Sequence, residues 1–169
     1  MSTFVSVGNA TQPFRRLLDA VAKLAPQLPP PVVIQYGAAA GFTAAGCTCI
    51  DYLDMETFAA HMADADVTIL HAGAGSVIHA VRAGKVPVVV PRRVALGEHV
   101  DDHQREFARE LAQLGRIVSC DDVAQLDTAV ARAVQLQRTL GSAPLPQPAL
   151  VNEMQRLLRE HAAACGQGV

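Results

Sequence analysis

From Thr3 to about residue 140, short β-branched runs alternate with longer stretches whose apolar residues recur at helical spacing. No other feature narrows the fold as much. Strands separated by helices pair in parallel, since each crossover returns the chain to the same end of the sheet. Thr3-Phe-Val-Ser-Val7 ends at Gly8 as a buried strand does, and Pro13 suits a first helical turn. Phe14, Leu17, Leu18, Val21 and Leu24 then follow at helical spacing, and the prolines at 26 and 29–31 close that helix. Further strands are expected at 32–35, 47–50, 67–70, 86–90 and 117–119. Asp54 caps a helix carrying Met55, Phe58, Ala59 and Met62 on one face, and a helix runs from about 100 to 114. Asp121 or Asp122 caps the helix that follows the last strand. The expected fold is α/β, a doubly wound parallel sheet over residues 1–140. A Pro-rich linker (142–148) then leads to an amphipathic helix with Leu150, Met154, Leu157 and Leu158 as its stripe, so 141–169 forms a separate tail.

Composition removes several alternatives. Half of the 169 residues are apolar and 4% aromatic, enough for a core of Val, Leu, Ile and Ala and too much for a disordered chain. With 14 basic and 16 acidic side chains there is no cationic excess of the kind nucleic acid attracts. Cys47, Cys49, Cys120 and Cys165 lack paired zinc spacing and read as reduced structural thiols, Cys47 and Cys49 facing the same way from one strand. Neither a signal peptide nor a run of ~20 apolar residues is visible, so a soluble, cytoplasmic protein is expected.

In an open α/β sheet, ligands settle beyond the carboxyl ends of the strands. Three polar segments fall there. In Gly8-Asn-Ala-Thr-Gln12, Gly8 lets the backbone come close to a ligand and Asn9 offers a donor, though many strand-to-helix turns look similar. In His71-Ala-Gly-Ala-Gly-Ser76, Gly73, Ala74 and Gly75 form a turn whose two glycines free the backbone to approach an anion. Ser76 supplies a hydroxyl and can cap the next helix, whose first amides and dipole point at the occupant of the turn; a diphosphate is the natural guest. The match to G-x-G-x-x-G is partial, with Ile78 in place of the third glycine and the wrong strand before it, which argues against a dinucleotide cofactor. His71 either faces the ligand or is a packed histidine. The third segment, Gly97-Glu-His-Val-Asp-Asp-His-Gln104, has six polar or charged residues in eight. Asp101 and Asp102 suit a helix N-terminus, which leaves His99, His103 and Gln104 unexplained. A metal held by His99, Asp101 and His103 is disfavoured, because positions i, i+2 and i+4 do not share one helix face. Arg92 and Arg93, just after the fifth strand, are either solvated or pair with a phosphate or a uronic acid carboxylate.

Taken together, His71 to Ser76, Gly84-Lys-Val-Pro87, Val90-Pro91 and Gly97 to Gln104 resemble the family 28 glycosyltransferase C-terminal domain, over about Thr3 to Ser119. The likeness is strongest to stand-alone small subunits of two-part enzymes, in bacterial exopolysaccharide synthesis and in eukaryotic lipid-linked N-acetylglucosamine transfer. The resemblance implies a Rossmann-like sheet, the C-terminal, donor-binding half of a GT-B fold. It implies a UDP-sugar as substrate, with no cofactor and no required metal. The turn at Gly73 to Ser76 would hold the diphosphate, Gly8 and Asn9 would approach from the first loop, and Glu98, His99, Asp102, His103 and Gln104 would lie toward the sugar. His71 is the local general-base candidate for an inverting transfer of a hexose or uronic acid, and Arg93 a donor contact. Where longer relatives carry a ribose-binding Glu, this chain has His79. A membrane-anchored partner would bind a lipid-linked saccharide acceptor and hold the chain at the inner face of the membrane; in isolation, homo-oligomers could cover the exposed half-cleft. The alternative is a catalytically inert subunit that keeps the fold and positions a partner enzyme.

Overall fold

The computed structural model describes residues 1–100, 103–140 and 156, and of His103 the backbone alone. Asp102, the linker at 142–148 and the terminal helical stripe therefore lie outside the described residues. The strands are β1 (Thr3–Ser6), β2 (Val32–Gln35), β3 (Cys47–Ile50), β4 (Val67–His71), β5 (Val88–Val90) and β6 (Val118–Ser119). The helices are α1 (Arg15–Leu24), α2 (Met55–Asp64), α3 (Ala74–Arg82), α4 (His103–Gln113) and α5 (Leu126–Leu140). Every strand pairing is parallel and the order is β3-β2-β1-β4-β5-β6. The expected doubly wound α/β architecture is therefore present. The order reverses between β1 and β4, where loops leaving neighbouring strands diverge and open a crevice.

Alternation along the strands sorts the core onto two faces. Val5, Val7, Ile34, Ile69, Val88 and Val90 pack with Leu17, Leu18 and Val21 of α1 and with Leu126, Ala129 and Ala133 of α5. On the opposite face Phe4 and Leu70 meet Met62 of α2 and Ala80 of α3, while Val89 meets Val77 and Val81 of α3 and Phe107 and Leu111 of α4. Cys47 and Cys49 both pack against the first of these clusters, on one side of β3 as the strand period requires. Each fully buried Leu, Val or Phe in such a core contributes roughly 1.5–3 kcal/mol of transfer free energy.

Several local expectations change. Pro13 lies ahead of α1, whose N-cap is Phe14, so it sets the approach to the helix rather than its first turn. Asp54 does cap α2, accepting from Thr57 N. The apolar face of that helix is split, however: Met62 is buried, whereas Met55 is 72% exposed. Ser76 stands in the first turn of α3, whose N-cap is Gly73, so it does not cap that helix. Asp122 caps a short 3-10 turn (Val123–Gln125) that leads into α5, accepting from Ala124 N.

Candidate functional site

The crevice between the β1 and β4 loops holds a pocket of about 270 Å³. Its lining includes Gly8, Asn9, His71, Gly73, Gly75, Ser76 and His79. Two of the three sequence segments thus meet as anticipated, and His79 joins them from the second turn of α3. α3 begins without a side-chain cap, and its first intrahelical bond runs from Val77 N to Gly73 O. The amides of Ala74, Gly75 and Ser76 therefore have no acceptor within the helix, and with the helix dipole they give the pocket a positive wall.

His71 is the wedge between the two loops. A Cβ placed on Gly8 would come within 2.4 Å of its imidazole, and one on Gly73 within 2.0 Å. Both glycines are thus required by the ring and not only by an approaching ligand. Gly75 differs, since a Cβ there meets nothing within 4 Å. Nδ1 of His71 is buried without a hydrogen-bond partner. Burial above all, then the Arg92 charge and more weakly His99, hold the ring down at a pKa of about 4, against a smaller opposing pull from the Ser6 backbone. The imidazole is neutral at physiological pH and a weak proton acceptor.

The sign of the pH effect follows. The unfolded chain takes up this proton near pH 6.5 and the folded chain only near 4. Between those values the unfolded state binds more protons, so stability falls as pH drops through the window and levels off below it. At most roughly 3 kcal/mol is at stake. Urea midpoints of the wild type and of His71→Asn should converge from pH 7 to pH 4; a constant gap would show that the ring does not titrate in this way.

The third segment is built differently. Arg16 grips Glu98 with two bonds of 2.8 and 2.9 Å, and Glu98 also accepts from Arg93 N at 2.9 Å. Glu98 is 5% exposed, its carboxylate held by Arg16 of α1 and by the Arg93 amide, and it is absent from the pocket lining. Gln104 accepts from Arg92 N at 3.1 Å, and Arg93 donates its guanidinium to the Asp121 carbonyl. Surface solvation is wrong for Arg92, which is 1% exposed. Its guanidinium donates to the carbonyls of Val7 (2.8 Å), Gln12 (2.7 Å) and Glu98 (2.9 Å) and sits 4.7 Å from the Phe14 ring centroid. Burial lowers its pKa to about 10 and Glu98 opposes the shift, so the charge is retained at neutral pH. This loop therefore braces the first one. Ala74 packs away from the pocket against the Val77 and Val81 cluster, and His99 lies close enough to His71 to act on its charge.

Sequence reasoning missed Ser6, Gln35, Leu53, Met55 and Phe58 as lining residues. Ser6 and Gln35 had a usable signal: both are polar residues closing apolar strands, and the β1–β2 register sets them side by side. Helical periodicity sets Met55 and Phe58 on one face of α2 but does not say that the face also borders the crevice.

A parallel sheet in this order, with its pocket at the switch point, is a Rossmann-like doubly wound fold of the kind that forms the C-terminal half of GT-B glycosyltransferases. Residues 2–145 match the glycosyltransferase family 28 C-terminal domain, and the chain belongs to that family. It is 31% identical over 113 residues to the UDP-N-acetylglucosamine transferase subunit ALG13 of Yarrowia lipolytica, an alignment covering 67% of this chain and 53% of that protein. The match thus spans about half the length of the relative. Among solved structures, Acinetobacter baumannii MurG superposes with a TM-score of 0.58 at 25% identity, over 95% of this chain and 49% of that one. The solution structure of ALG13 gives 0.58 at 19% identity, covering 93% and 94% of the two chains, a likeness of fold. Among the described residues, no helix is long and apolar enough to cross a membrane.

Proposed function

We propose that this chain is the donor-binding subunit of a glycosyltransferase, taking a UDP-sugar and acting with a second subunit that holds the acceptor. The observation that carries the reading is the pocket at the β1/β4 switch point, lined by Gly73, Gly75 and Ser76 at the start of α3, which has no side-chain cap. The first amides of that helix are fixed before the ligand arrives. They can stabilise the charge that grows on a departing diphosphate without a metal. His79, edge-on to Phe58 at 6.0 Å, lines the same space and carries ring nitrogens that can hydrogen-bond the nucleoside. The sugar is a hexose, an N-acetylhexosamine or a uronic acid. The transfer is inverting, and the base that takes the acceptor proton comes from His71 or across the subunit boundary.

Partner dependence draws on the apolar residues exposed along the rim. Leu96 is 55% exposed, Val100 76%, Met55 72% and Tyr52 50%, all in segments that follow the carboxyl ends of strands. Large apolar side chains exposed around a ligand crevice are a feature that a partner surface can cover. The second subunit is membrane-anchored, presents a lipid-linked saccharide and brings this chain to the cytoplasmic face; without it, self-association covers the rim. Isothermal titration with UDP is expected to give saturable 1:1 binding to the isolated chain, while sugar transfer needs the added partner. Robust turnover by the chain alone would remove the partner requirement. Among the described lining residues no carboxylate can serve as a base, an observation that favours an inert scaffold as the second reading. A scaffold would show no UDP binding in the same titration.

A further inference from the structure

Beneath the pocket lies a short hydrogen-bonded relay that starts at one backbone amide and runs outward to Asn9. Gly8 N donates to Ser6 Oγ at 3.2 Å. Ser6 Oγ then donates to Gln35 Oε1 at 2.6 Å, and Gln35 Nε2 donates to Asn9 Oδ1 at 2.9 Å. Gly8 N occupies one of the two acceptor sites of the serine oxygen, and the Ser6 hydroxyl hydrogen is directed at Gln35, so the donors run outward from the strand. That hydrogen turns the Gln35 carbonyl toward Ser6 and its amide toward Asn9. Asn9 must then accept through its oxygen, which leaves its NH2 group outermost. Ser6 is fully buried, Gln35 is 2% exposed, and Asn9 is exposed at the pocket lining. The two ends differ sharply in access to water, so the buried part of the relay is not free to turn over.

We propose that Gln35 is a positioning residue: through this one-way relay it fixes Asn9 as a hydrogen-bond donor toward the pocket, opposite the amides at the start of α3, so that an anionic diphosphate oxygen is gripped from both sides. The proposal rests on the UDP-sugar reading above and adds residues to it. An Asn held in the opposite sense would present its carbonyl to the same anion and repel it. The neutral side chain thus carries a definite polarity, with no titratable group in the three links.

The test has two parts. In the ligand-free wild-type chain, NMR hydrogen exchange should find the Gln35 side-chain amide protons protected and those of Asn9 exchanging quickly. Equal rates, or the reverse order, would overturn the relay whatever the protein binds. In calorimetric titrations with UDP and with inorganic pyrophosphate, Asn9→Ala should weaken UDP binding about tenfold and Gln35→Leu by a similar factor. The double variant should be no weaker than Asn9→Ala within about twofold, because Gln35 acts through Asn9. Additive losses would mean that Gln35 matters only for packing. UDP binding that is strong in the wild type and untouched in Gln35→Leu would sink the relay alone. Failure of the wild type to bind either probe would remove the diphosphate and the UDP-sugar reading together, while the exchange rates still decide the polarity.

Discussion

Gly73→Ala is expected to lose about 3 kcal/mol of stability and about a hundredfold in UDP affinity, although alanine is the smallest side chain that could be added. The backbone does not demand glycine there: φ is −79° and ψ 124°, comfortable for any residue. The demand comes from the imidazole of His71, whose Nε2 lies 2.0 Å from where the new methyl would stand. The ring has little room to retreat, since Gly8 closes its other side. Urea unfolding of the single and double variants tests this directly. In a His71→Ala background the same glycine replacement should cost under about 1 kcal/mol, the ordinary difference between Gly and Ala at an N-cap. Gly8→Ala should be rescued less well by His71→Ala, because its φ of +74° strains any L-residue even when the ring is gone. Equal rescue at both positions would show that the ring is not the wedge.

Replacing Arg92 should be the most costly change of a single charged side chain. Arg92→Met keeps much of the buried volume but leaves the carbonyls of Val7, Gln12 and Glu98 without their donor, and about 4 kcal/mol of stability should go with them. Arg92→Lys should recover less than half of that, since a single ammonium cannot reproduce the planar fork that reaches three acceptors. The neighbouring Arg93→Met is expected to cost about 1 kcal/mol, as that guanidinium holds one carbonyl near the surface. Chemical denaturation of the three proteins decides the matter, and a similar midpoint for Arg92→Met and Arg93→Met would be incompatible with the bracing role.

The alternation of strands and helices was legible because burial on a sheet imposes period two and burial on a helix imposes period 3.6. Strand boundaries fell within two residues of those found, and the turn at Gly73 to Ser76 was correctly placed at the carboxyl edge of the sheet. Periodicity cannot tell which end of a helix face remains uncovered: it sets Met55 and Met62 on one face, of which only Met62 is buried. Nor can it anticipate contacts between loops distant in sequence. Arg92 and Val7 stand 85 positions apart, and only the folded sheet brings that carbonyl within 2.8 Å of the guanidinium. Charge density in the segment from Gly97 to Gln104 suggested ligand contacts. Of its described side chains, Glu98 and Gln104 instead tie the loop down, to Arg16 and to the Arg92 backbone. Polar residues in a compact loop satisfy one another before they are available to a guest.

The imidazole lodged between Gly8 and Gly73 has a consequence for the thermodynamics of association. Two strand-end segments pinned to one rigid ring behave as a single body, so an arriving nucleotide finds its cradle already shaped and spends little free energy on freezing loops. Affinity then depends on how well the fixed dipoles match the guest. On the proposed function, a divided enzyme would in this way keep its donor in place while its other half is still absent.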